Sequence, residues 1–290
     1  MNDQTKGLLI TTLGILFVVP DALFIRLIQA DPLVVAFWRN FLTGSVLFVG
    51  LFLINGTRLF GKMKNIGAKG LIYAVFAGSS SVFFVMAVRN TSVANVVFIL
   101  AAMPVFAALY SWIFMGERLS QRMVWTIFLV IIGLAVIAYG PSGAVIFHWS
   151  GNLFALIASA LFAAAMTAAR AARPISMVPA APIAYLGSAL GLSFFADPLA
   201  VVPSQWWLIG LQGGFFIAIS TAFLATGPRY ITSPEVSLLV LLESVLAPIL
   251  VWFIIGEKPG EWAFVGGAIV ISVLFVSNMI VLLRKKPAGK

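Results

Sequence analysis

Two carboxylates stand in stretches that otherwise offer almost only apolar side chains. Asp21 follows Pro20 in TTLGILFVVPDALFIRL, and Glu243 lies in VSLLVLLESVLAPILVWFII. A carboxylate in such surroundings is costly and is normally found facing a bundle interior or water. There it can hold the ammonium group of a substrate or carry a proton that couples transport. The structural alternative is an ion pair with Arg26 or Arg39, or an interaction with a helix end.

Other polar groups occupy comparable places. Ser79, Ser80 and Ser81 form a patch with a counterpart in Ser220-Thr221, and Ser80 is the candidate whose position repeats. Its hydroxyl suits a substrate carboxylate or amide; equally, serines beside Gly78 are small residues that let helices pack closely. Asn95, with Glu235 at the equivalent place, opens an apolar run, where a polar side chain caps free backbone donors. If that helix start faces a cavity, its positive end also suits a carboxylate. Phe83 and Phe98, with Trp38 and Tyr185, are candidates for an apolar cavity wall, whereas Trp149, Trp206 and Trp207 read as interfacial anchors. Pro20, Pro104 and Pro248 interrupt apolar runs, and each removes a backbone donor, freeing polar groups that can line a path or act as a kink.

Several chemistries are excluded by the same inventory. The chain has no cysteine and a single histidine, His148, so it offers no thiolate site, no disulfide framework and little for a metal. The clusters that intramembrane proteases need are missing, so the reading is not an enzyme, and nothing requires a cofactor. The net charge of +9 comes from basic residues scattered between apolar stretches instead of gathered on one face, which argues against nucleic acid.

The elements that must position these residues are membrane helices. Of the 290 residues, 62% are hydrophobic and 9% charged, against roughly 25% charged in ordinary soluble domains, so the partner of the surface is the lipid bilayer. Roughly 20 apolar residues span a bilayer core as a helix. Ten such runs are expected, at 7–28, 33–54, 69–88, 92–115, 122–139, 150–171, 179–196, 206–228, 236–255 and 262–283. Placing both termini in the cytoplasm puts 14 of the 18 Lys and Arg on that side, as the positive-inside rule requires. Arg26, Arg39, Arg89 and Lys258 fall toward the outside.

The chain also repeats itself. Trp112, Gly116 and Glu117 are matched by Trp252, Gly256 and Glu257 at an offset of 140, and so are Gly70 by Gly210, Ser80 by Ser220 and Arg89 by Arg229. The two Gly-Glu steps read as structural: glycine ends one helix and the glutamate meets the positive end of the next. Residues 1–140 and 141–290 then form two five-helix repeats. Because five is odd, the second enters the membrane from the opposite side, and inverted repeats around a central cavity are the architecture of alternating-access transporters.

The stretches NTSVANVVFILAAMPVFAALYSWIFMGERLS and SLLVLLESVLAPILVWFIIGEKPGEWAFVGGAIV, together with FWRN at Arg39, resemble the paired EamA-type modules of the drug/metabolite transporter superfamily. Within it the sequence is most similar to amino-acid exporters of the YddG type. That resemblance implies a ten-helix exporter of amino acids or other small metabolites in a bacterial inner membrane. Ser244 stands where a proline often follows the glutamate of the pattern, so the kink there falls to Pro248.

Overall fold

A computed structural model describes residues 3–116, 120–139, 149–172, 176–226, 230 and 233–284. Glu117, Arg118, His148, Arg229, Lys285, Lys286, Lys290 and the breaks at 140–143 and 173–174 lie outside these residues, as do the side chains of Arg170, Glu235 and Arg284. The described residues are almost entirely helical, and they contain no strand.

The first apolar run forms two helices, α1 (Asp3–Val18) and α2 (Asp21–Leu27), separated at Val19-Pro20. Pro20 has no N–H to continue the helical ladder, so the chain restarts on its carbonyl, which accepts from the Phe24 amide at 3.0 Å. Next comes α3 (Pro32–Asn55), capped by Asp31, whose side chain accepts from the Leu33 amide at 2.8 Å with proline in the first turn. A short helix, α4 (Arg58–Lys64), and α5 (Gly67–Asn90) follow.

The run around Pro104 is likewise two helices, α6 (Val93–Leu100) and α7 (Met103–Met115). Pro104 lies in the first turn of α7, so it begins a helix after a break rather than bending a continuous one. Gly116 ends α7 with φ of 66°, and Gly256 repeats this geometry with φ of 72°. Both are left-handed positions that only glycine adopts without penalty.

The remaining elements are α8 (Gln121–Tyr139), α9 (Trp149–Ala171), α10 (Ala180–Leu192), a 3-10 turn (Pro203–Gln205), α11 (Trp206–Ile209), a π-helix (Gly210–Ile217), α12 (Ala218–Thr226), α13 (Ser233–Ile255) and α14 (Glu261–Arg284). Pro248 lies inside α13, which runs through it without a break. Eight stretches of the described residues are long and apolar enough to cross a membrane, and two further apolar helices, Ala180–Leu192 and Leu239–Ile255, are shorter.

Side-chain contacts sort the loops into two opposite ends of the bundle. At one end Arg26 meets Glu257 and Thr91, Arg89 reaches the end of α2, and the Gln29 amide donates to Gln205. At the other, Lys69 donates to the Ala171 carbonyl, and Lys6 sits 5.0 Å from the Tyr230 ring. Buried apolar side chains are concentrated at the first end, where Ile25, Ile28, Val34, Val35, Val85, Val88, Val96, Ile209 and Val251 belong to one core. Two smaller clusters lie in the other half, one around Val105, Val130, Leu241 and Val270 and one around Ala74, Ala77, Ala165 and Ala184.

The packing partners come in matching sets. Helix α5 packs on α9 and α12 on α1; α7 packs on α9 and α13 on α1; α10 packs on α5 and the π-helix on α3. Across the first of these contacts the Ser80 hydroxyl donates to the Ala158 carbonyl at 2.8 Å, and across its counterpart Ser220 donates to the Gly14 carbonyl at 2.7 Å. Helices α8 and α14 pack together through Gly133 and Gly266, where an added Cβ at Gly266 would stand 2.6 Å from the Gly133 carbonyl.

Candidate functional site

The most polar point of the interior is a buried ion pair between the start of α2 and the second turn of α3. The Pro20 break starts α2 at Asp21 in mid-bundle, and α3 carries Arg39 opposite it. Arg39 Nη2 is 2.6 Å from Asp21 Oδ2, and Arg39 Nε is 3.1 Å from each carboxylate oxygen. Both side chains are almost wholly buried, so the mutual neutralisation and the hydrogen bonds must offset a large desolvation cost.

A shell of neutral polar groups completes the pair. Gln212 Nε2 donates to Asp21 Oδ1 at 2.9 Å. On the other side Arg39 Nη1 donates to Ser81 Oγ and, at 3.4 Å, to Asn40 Oδ1. Ser81 donates onward to Asn40 Oδ1 at 2.5 Å, and Asn40 Nδ2 donates to Ser188 Oγ at 2.9 Å. The guanidinium also lies over the Phe84 ring, 5.6 Å from its centroid. Five elements, α2, α3, α5, α10 and the π-helix, therefore meet at one network.

The π-helix is what brings Gln212 in. Its i→i+5 pattern widens the backbone, and Gly213 lets it lie against α3: a Cβ there would be 2.8 Å from the Arg39 carbonyl. Thr43 Oγ1 donates to the Gly213 carbonyl at 2.9 Å, supplying a partner for that group. Sequence reasoning missed Gln212; its signal was a lone amide in the glycine-rich apolar run GLQGGFF.

Glu243 is placed differently. It is half-buried on α13, within electrostatic reach of both Asp21 and Arg39, and it makes no hydrogen bond or ion pair with a described residue. Tyr185 lies within reach of the same guanidinium, and its hydroxyl is 3.5 Å from Thr221 Oγ1. The two carboxylates singled out by the sequence thus share one site, one enclosed by donors and the other bare.

The remaining expected residues fall elsewhere. Ser80 is committed to the Ala158 carbonyl, so its hydroxyl joins two helices instead of facing a ligand. Phe98 belongs to the core rather than to a cavity wall, because its ring fills the notch over Gly267, where an added Cβ would be 2.4 Å from it. Phe83 is half-buried beside Phe154, with centroids 5.9 Å apart. The cap of α6 is Ser92, whose side chain accepts from the Asn95 amide at 3.2 Å; Asn95 itself donates to Thr91 and Asn152.

Glu257 does not serve the helix that follows it. It accepts from the Val93 amide at 2.8 Å, at the start of α6, and pairs with Arg26 at 2.9 Å. Its charge meets a positive helix end, but one from the other half of the chain. Among the described residues no group of three or more His, Asp or Glu gathers as a metal site would require.

With this geometry in hand, comparison with known proteins gives three findings. The sequence model of the EamA-like transporter family matches residues 5–139 and again 149–279. An uncharacterized transporter of Archaeoglobus fulgidus is 26% identical over 262 residues, covering 88% of this chain and 90% of that protein. A crystal structure that is 18% identical superposes with a TM-score of 0.64, covering 97% of this chain and 99% of that one; at this identity the likeness is one of fold.

Proposed function

The chain belongs to the EamA-like transporter family, and from that premise we propose that it is a secondary transporter exporting amino acids and related small metabolites across the inner membrane by alternating access. The observation that carries the reading is Glu243, a carboxylate in mid-bundle that has no hydrogen-bond or ion-pair partner among the described residues, beside an already neutralised Asp21–Arg39 pair. With Asp21 and Arg39 cancelling, the Glu243 carboxylate is the acidic group left to the site, and an ammonium group complements it. The amides and hydroxyls around Arg39 suit the carboxylate of a zwitterion.

The matching packing sets and the two serine-to-carbonyl bonds support a reading as two inverted five-span repeats, 1–140 and 141–290. Ten spans follow if α10 and α13 cross as the other runs do. The basic residues at the Lys69 end support a cytoplasmic location for that end and for both termini. A drug or another metabolite with a cationic group is the alternative within the same superfamily, because the charge logic is shared. A channel is separated from a carrier by saturation and counterflow.

The test is uptake of labelled Thr, Met, Phe, Lys and Glu into liposomes holding the purified protein, with and without a pH gradient. Saturable uptake of neutral amino acids is expected, falling by about tenfold or more in Glu243→Gln while the variant remains monodisperse and folded. Absence of uptake of every amino acid by folded protein would overturn the amino-acid assignment and direct the assay to cationic drugs.

A further inference from the structure

We infer that Arg26 and Glu257 form a latch that holds the bundle closed at their end, and that releasing it opens that end. The inference rests on the alternating-access reading, because only a protein with two such states needs a releasable closure.

The contacts join distant parts of the chain. Arg26 Nε is 2.9 Å from Glu257 Oε2, and Arg26 Nη2 reaches Glu257 Oε1 at 3.3 Å and the Thr91 carbonyl at 2.6 Å. Glu257 Oε1 also accepts from the Val93 amide at 2.8 Å. Two side chains thereby tie the end of α2, the 91–93 turn opening α6 and the turn between α13 and α14, across 231 residues of sequence.

Three features mark this as a closure. Both side chains are largely shielded, with 7% and 15% exposure, so the pair is screened less than one on an open surface. The main apolar core lies directly beneath it, with Ile25, Ile28, Val93 and Val96 fully or almost fully buried. Arg89 holds the end of α2 in place for the latch, donating from α5 to the carbonyls of Ile25 and Ile28 at 3.1 Å and to that of Ala30. The end of α2 and the start of α6 are thus fixed to the far half of the chain through Glu257 alone.

A polar latch over an apolar core suits a reversible seal. Once the charges separate they meet water and are stabilised there, so the open state does not leave a bare charge in hydrocarbon. An apolar plug alone has no such compensation.

The absence of cysteine makes the test direct. Val96→Cys, fully buried one turn into α6, and Thr221→Cys, half-buried in the opposite half, are labelled separately with a polar maleimide in nanodiscs, where both faces are reachable. Each is compared alone and combined with Arg26→Gln, Arg26→Lys or Glu257→Gln. Glu257→Gln retains an oxygen for the Val93 amide, so it removes the charge and spares the cap.

The expected result is a rise in Val96→Cys labelling on the order of tenfold in both Gln variants, a fall at Thr221→Cys, and an intermediate rate for Arg26→Lys. Unchanged labelling of Val96→Cys in monodisperse Gln variants would overturn the latch. So would a parallel rise at both reporters, which is local unfolding and not an exchange of states. Labelling needs no substrate: a shifted pattern without amino-acid uptake would leave the latch standing and remove the substrate assignment.

Discussion

Removing one charge of the Asp21–Arg39 pair should destabilise the protein far more than removing both. In Asp21→Asn the amide can still accept from Gln212 and from one guanidinium nitrogen, but Arg39, with a side chain 7% exposed, is left without its counter-charge. Breaking a buried pair in this way costs about 3–5 kcal/mol, and the neighbouring Glu243 carboxylate moves the expectation toward the lower figure. Arg39→Met strips three contacts from the Asp21 carboxylate and leaves Gln212 as its donor, so its cost belongs to the same range. The double variant leaves neither member of the pair as an uncompensated charge, keeps Gln212 bonded to the new amide and keeps Ser81 bonded to Asn40. Its deficit should be about 1–2 kcal/mol, the loss of one or two hydrogen bonds. At roughly 2–4 °C per kcal/mol, the single variants melt about 6–20 °C below the parent and the double variant about 2–8 °C below. Tryptophan fluorescence reports the transition, because Trp38 adjoins Arg39, its ring lies 4.9 Å from that of Trp206, and its Nε1 donates to the Pro198 carbonyl. If the two single losses simply add in the double variant, the pair is not coupled and the reasoning fails.

Three further outcomes are expected. Ser80→Ala and Ser220→Ala should each lower stability by about 0.6 kcal/mol, the usual value of an interhelical bond in a membrane bundle, and both should still transport; loss of transport in a fully stable Ser80→Ala protein would return that hydroxyl to substrate binding. Gly78→Ala should cost about 1–3 kcal/mol by overpacking, since its Cβ would stand 2.5 Å from the Ala184 carbonyl. Gly187→Ala, with nothing within 4 Å of the added carbon, should be neutral or stabilising by up to about 1 kcal/mol, and thermal melts of the two variants separate the cases.

The helical runs were legible because membrane spans are written in composition. Apolar stretches of about twenty residues punctuated by Pro, Gly and charge fell close to the observed helices, as at 33–54 against α3 and 262–283 against α14. Features decided by contact were not legible. The sequence RLFGKMK looks like a charged connection, yet it forms α4 with Leu59 fully buried. The π-helix depends on α3 lying close enough to replace lost helical bonds, and no local propensity encodes that. Pro104 was visible as an interruption, but whether a proline bends a helix or restarts one depends on what satisfies the freed carbonyls, and Pro248 in an unbroken α13 shows the other outcome.

The site was legible in its charges and illegible in its geometry. Asp21 and Glu243 stood out because a carboxylate in an apolar run needs a reason, but their proximity to each other and to Arg39 comes from the packing of α2, α3 and α13. The sequence offered both Arg26 and Arg39 as partners for Asp21; the break at Pro20 starts α2 opposite α3, and Arg39 takes that place while Arg26 pairs with Glu257. Ser92 and Asn95 illustrate the limit on a smaller scale. Both precede or open an apolar run, and only the amide of Asn95 pointing at Ser92 Oγ tells cap from core.

The contrast between the two carboxylates carries the argument about selectivity. Asp21 has its oxygens occupied by Arg39 and Gln212, so a substrate that used it would first have to displace a guanidinium, at a cost of several kcal/mol. Among the described residues Glu243 has no such donor to displace, and a ligand that supplies one gains both the charge interaction and the hydrogen bond. On the proposed reading, an anion lacking an amine meets the Glu243 charge with nothing to offset it, whereas a zwitterion or a cation does not. In competition against a transported neutral amino acid, its primary amine should therefore matter more than its carboxylate: the N-acetyl derivative should lose inhibition by about tenfold or more, while the amide of the carboxylate loses less. The reverse order would place recognition at Arg39 and refute the role given to Glu243.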